Sequence, residues 1–77
     1  MIDAPELMTA AGRALFGENW KAPLARALGV SKDAVQDWAQ GRMRPRPGVW
    51  IDLAAFMAAR QAELAAAAKA VKRGPTP

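Results

Sequence analysis

The chain has 77 residues, enough for one domain with one core. A core of that size buries only about 60% of the extended chain's surface, which makes association with a second copy a natural supplement. With no cysteine and no histidine there is no disulfide, no thiolate metal site and no imidazole base. No stretch nears ~18 apolar residues and no leader pattern opens the chain, so a soluble cytoplasmic protein without metal, cofactor or small-molecule ligand is expected.

Asp3-Ala4-Pro5-Glu6 reads as a helix start. Asp3 serves as N-cap, Pro5 falls where a missing N–H costs nothing, and Glu6 stands three residues on, as in a capping box. Leu7, Met8, Ala11, Leu15 and Phe16 recur at helical spacing, and Gly17 ends the element. Asn19 is the expected cap of a second helix, with Pro23 tolerated in its first turn and Trp20 turned into the core.

Leu24, Ala25 and Leu28 share a helical face, and Val35 and Trp38 share another. Between them Gly29 suits the position just past a helix end, Val30 plugs the corner, and Ser31 is a good N-cap for a third helix. With Ala34, Val35 and Trp38 inward, Lys32, Asp33, Gln36, Asp37 and Gln40 face outward. Gly41 closes that helix and begins G-R-M-R-P-R-P-G, whose arginines at 42, 44 and 46 suit a loop crossing a phosphate backbone. The same run is open to a minor-groove arm or a stiff, soluble connector.

From Pro47 a last helix reaches about Lys72. Trp50, Leu53, Met57, Arg60, Leu64, Ala67 and Val71 fall on alternating steps of three and four, a heptad-like stripe. Its first half should close the core. Its alanine-rich second half either makes a dimer contact through Arg60, Leu64, Ala67 and Val71 or is a frayed tail. The expected units are 1–59, 60–73 as a helical extension, and a disordered 74–77. Residues 32–46 and 60–77 hold the basic excess behind the +4 net charge, while residues 1–31 balance.

The run L-A-R-A-L-G-V-S-K-D-A-V-Q-D-W-A-Q-G resembles the helix-turn-helix of the Cro/repressor (xenobiotic-response-element type) DNA-binding family. Leu24-Ala25, Leu28-Gly29-Val30-Ser31, Val35, Trp38, Gly41 and the proline-bearing loop carry the likeness, across roughly residues 20–57. Lys21 departs from it, standing where many members have a glutamine. The resemblance implies an all-α, lambda-repressor-like domain of four helices, or five if the last one breaks.

It further implies a repressor binding double-stranded DNA at a pseudo-palindromic operator as a homodimer, of the kind that regulates a phage or mobile-element operon. Lys32, Asp33, Gln36 and Asp37 would then meet base edges. Glutamine pairs bidentately with adenine; Lys32 suits guanine or a phosphate; Asp33 suits cytosine or repels misplaced phosphates. Lys21, Ser31, Arg42, Arg44 and Arg46 would hold phosphates. The rival expectation is an antitoxin-like or phage accessory module gripping a protein partner, because Asp33 and Asp37 are unusual on a face that meets phosphate. An enzyme is not expected, since no acid, base or nucleophile set can be assembled.

Overall fold

A computed structural model describes residues 2–76 and contains four helices and, among the described residues, no strand: α1 (Ala4–Phe16), α2 (Lys21–Leu28), α3 (Lys32–Gln40) and α4 (Pro47–Arg73). Helix α1 begins as the sequence suggests, with Asp3 Oδ1 accepting the Glu6 N–H at 3.0 Å and Gly17 stopping it at φ 78°. Helix α2 does not. Its cap position is Trp20, with no side-chain cap bond, and Asn19 is an exposed residue of the preceding turn. The indole decides this start: Trp20 is buried and its carbonyl already accepts the Leu24 N–H at 2.9 Å. Pro23 is the third helical residue, where an N–H has no partner within the helix anyway.

The α2–α3 corner takes three residues. Gly29 is left-handed (φ 70°, ψ 32°), and the N–H of half-buried Val30 returns to the Ala25 carbonyl at 2.9 Å. Ser31 then caps α3, its Oγ accepting the Ala34 N–H at 3.1 Å. Helix α3 has nine residues, too few to persist without packing and a cap. Ser31→Ala should therefore lower stability by about 1 kcal/mol. Thermal denaturation would read this as roughly 4–8 °C, and Ser31→Asp, which also caps, should retain most of the parent melting temperature.

Met8, Leu24 and Val35 are wholly buried at the centre, joined by Ala11, Trp20, Ala25, Trp38 and Leu53. Full burial of each large aliphatic contributes about 1.5–3 kcal/mol, so these few residues supply most of the driving force. Gly12 faces the Trp20 ring so closely that a Cβ there would overlap it. At the end of α3, left-handed Gly41 approaches Pro5 of α1. Leu7, at helical spacing with Met8 and Ala11, is 42% exposed.

Helix α4 starts with Pro47 at its first position and runs unbroken for 27 residues, about 40 Å, which fixes the number of helices at four. Its first turns lay Val49, Trp50, Leu53 and Met57 against the core. Every residue from Gln61 to Arg73 is exposed, which makes the molecule 53 Å long and 22 Å across. The alanine-rich sequence and Lys72 and Arg73 in the last turn favour the helix there without a core. Gly74 stops it; of the expected tail, 74–76 follow the helix and Pro77 lies outside the described residues, as does Met1. No helix among the described residues is long and apolar enough to cross a membrane.

Candidate nucleic-acid interface

Helix α3 divides as its sequence requires. Val35 and Trp38 are buried, Ala34 and Ala39 are half-buried against the core, and the polar side chains form an outward face. On it Lys32 and Asp33 are exposed at the first turn, Gln36 and Asp37 are half-buried, and Gln40 is exposed at the end. Asp33 in the first turn suits the positive end of the helix dipole. Gln36, one turn on from Lys32, carries an amide that can both donate and accept.

Lys32 and Lys21, eleven positions apart, share one cleft of about 410 Å³, with Glu18, Asn19 and Ala22 completing its wall. The starts of α2 and α3 bring them together. The ammonium of Lys21 lies 5.9 Å from the centre of the Trp20 ring, which directs this flexible side chain. Two lysines beside two helix starts, where backbone N–H groups lack helical partners, form a site that favours an anion, and the Glu18 carboxylate limits how deeply one can enter.

The other end of α3 carries the arginine loop. The Asp37 carbonyl accepts the Arg42 N–H at 2.9 Å and the Met43 N–H at 3.4 Å, and Arg42 Nη1 donates to Asp37 Oδ1 at 3.5 Å. Asp37, an expected base reader, thus holds the loop against the outward face of α3. An exposed pair of this kind contributes about 0.2–1 kcal/mol, so Arg42 is readily exchanged to another anion. Arg44 and Arg46 are exposed and have no carboxylate partner among the described residues, and half-buried Pro45 stiffens the chain between them.

The structure therefore gathers the expected contacts at both ends of one helix: Lys21, Ser31 and Lys32 at its start, Arg42 at its finish, and Asp33 and Gln36 between. Arg60, Leu64, Ala67 and Val71 belong elsewhere, along α4. Arg60 lies 5.6 Å from the Phe16 ring centre and 5.5 Å from that of Phe56, and its Nε is 3.8 Å from Glu63. It seals its own chain's core across the expected boundary at residue 59. Leu64 and Val71 are 64% and 79% exposed. Sequence reasoning missed the Asp37–Arg42 pair and the cleft; an acid in the last turn of α3 followed by a cation just past Gly41 was the available signal for the first. The cleft had no local signal, because only the packing of α2 on α3 creates it. Compared with protein-family models, curated proteins and solved structures, the chain matches none.

Proposed function

We propose that α2, the Gly29–Ser31 corner and α3 act as a helix-turn-helix of the lambda-repressor-like kind, and that the protein binds double-stranded DNA with α3 in the major groove. The supporting observation is the layout of α3. A polar face able to read bases lies between cations at its two ends, Lys21 and Lys32 at one and the arginine loop at the other. A groove presents the same order: phosphates, base edges, phosphates. Arg42 stands beside Asp37 at the end of this face, and Asp33 has no ion-pair partner among the described residues.

In this reading Gln36, Lys32 and Asp33 specify bases, and Lys21, Arg42, Arg44 and Arg46 hold phosphates, with the Ser31 cap fixing the start of α3. Two copies related by a two-fold axis place their reading helices about 34 Å apart on a pseudo-palindromic site. Occupying such a site on its own operon, as small phage and mobile-element repressors do, is the regulatory role that goes with this reading. Gln36→Ala should cost about 1–3 kcal/mol on the preferred duplex and relax preference at one base pair, with random duplex bound as before. Equal losses on both duplexes in a fluorescence-anisotropy titration would remove Gln36 from base reading.

A further inference from the structure

Asp37 carries a carboxylate that the fold uses little. The bonds tying the arginine loop to α3 run to its backbone carbonyl, which accepts the N–H of Arg42 at 2.9 Å and of Met43 at 3.4 Å. Any side chain at position 37 leaves those bonds in place. The carboxylate itself stands in an unfavourable spot. It lies in the last turn of α3, where the helix dipole is negative. It is also one turn on from Asp33, a like charge on the same edge of the outward face. Among the described residues its one ion-pair partner is Arg42, which reaches it at 3.5 Å through a single guanidinium nitrogen and has a side chain 66% exposed.

We propose that Asp37 reads a base by exchange: Arg42 passes from the carboxylate to a DNA phosphate, and the freed carboxylate accepts a hydrogen bond from a cytosine amino group in the major groove. This inference rests on the DNA reading above and gives Asp37 a part that reading leaves unassigned.

The exchange turns the ion pair into a penalty on wrong sequences. Breaking an exposed pair costs about fivefold in affinity at most. The phosphate contact that Arg42 gains offsets this loss on any duplex, so the arginine does not distinguish one sequence from another. The carboxylate does. It can only accept, and cytosine is the base whose major-groove edge offers a donor alone. Guanine and the thymine oxygen offer acceptors, and adenine sets an acceptor beside its donor. Facing an acceptor, Asp37 has lost its cation and found no donor, and affinity falls accordingly.

The test is selection on randomised duplex DNA, then fluorescence-anisotropy titration, with the parent, Asp37→Ala, Asp37→Asn and Arg42→Ala. The parent site should hold one C·G pair per half-site whose selection disappears in both Asp37 variants. These two should bind random duplex about tenfold tighter than the parent and the preferred duplex no tighter, so the ratio between duplexes falls about tenfold. Both should keep parent-like helical circular dichroism, since the loop is tied to the backbone of position 37. Arg42→Ala should weaken both duplexes alike and retain the C·G preference. Weaker binding of both duplexes by the Asp37 variants would make the carboxylate a staple for the loop, and equal tightening on both would make it only a mask for Arg42. Either result overturns the proposal, as does loss of the C·G preference in Arg42→Ala. A parent that selects no site removes the DNA reading as well, whereas a selected site that both Asp37 variants leave unaltered overturns this inference alone.

Discussion

Gly12→Ala should lower the melting temperature by about 10 °C or more, although alanine is favoured over glycine within a helix by roughly 1 kcal/mol. The reason is steric. A Cβ on Gly12 would overlap the six-membered edge of the Trp20 indole, a ring 3% exposed and closed in between α1 and the start of α2. Neither neighbour yields easily: the ring belongs to a side chain that sets where α2 begins, and Gly12 lies within a continuous helix. Overpacking of this kind costs about 1–3 kcal/mol and more where rigid groups meet, a large share of the roughly 4–11 kcal/mol expected for a domain of this length. In a Trp20→Leu background the same substitution should be close to neutral, and the double-mutant cycle should show the coupling. A Gly12→Ala protein that melts at or above the parent temperature would contradict this packing.

Removing the three loop arginines together should have the largest effect on binding. With Arg42, Arg44 and Arg46 each changed to alanine, affinity for duplex DNA should fall about 100-fold or more near 0.1 M salt, from the loss of up to three phosphate contacts per protomer. The slope of log K against log salt should flatten by about five per dimer, at roughly 0.9 per phosphate. All three side chains are exposed, and the one ion pair lost, Arg42 with Asp37, is worth at most about 1 kcal/mol, so folding should be preserved. The matching triple lysine variant keeps the charge; it should hold most of the slope while losing the bidentate geometry that guanidinium offers to phosphate. An unchanged slope in the alanine variant would reduce the loop to a soluble connector.

The features legible in the sequence are those whose physics is local. The Asp3 and Ser31 caps, left-handed Gly29 and Gly41, and Pro47 at the head of α4 each depend on a few adjacent residues, and each is found where the sequence places it. Asn19 shows the limit of local rules: a good capping residue gives way because burial of the neighbouring indole fixes the start of α2 one residue later. Helical periodicity reports which residues share a face but not which face is covered. Leu7 shares its helical spacing with Met8 and Ala11 yet is exposed beside an open groove. Arg60 reads as a seam residue yet covers Phe16 and Phe56, a contact spanning more than forty residues. An isolated glycine in the middle of α1 was a cue to close packing, and Trp20 supplies the reason for it.

At the candidate interface, the outward residues of α3 follow from its period once Val35 and Trp38 turn inward. The meeting of Lys21 with Lys32 and of Asp37 with Arg42 depends on how α2, α3 and the loop fold back on one another. These juxtapositions place cations at both ends of a mixed-charge helix face.

The measurement that bears most directly on DNA recognition is selection of the parent protein on randomised duplex DNA, followed by titration of the enriched duplex from about 50 to about 200 mM salt. The expected result is one two-fold symmetric site with half-sites about one helical turn apart, and affinity that falls steeply with salt. No enrichment, with weak binding that barely responds to salt, would contradict it.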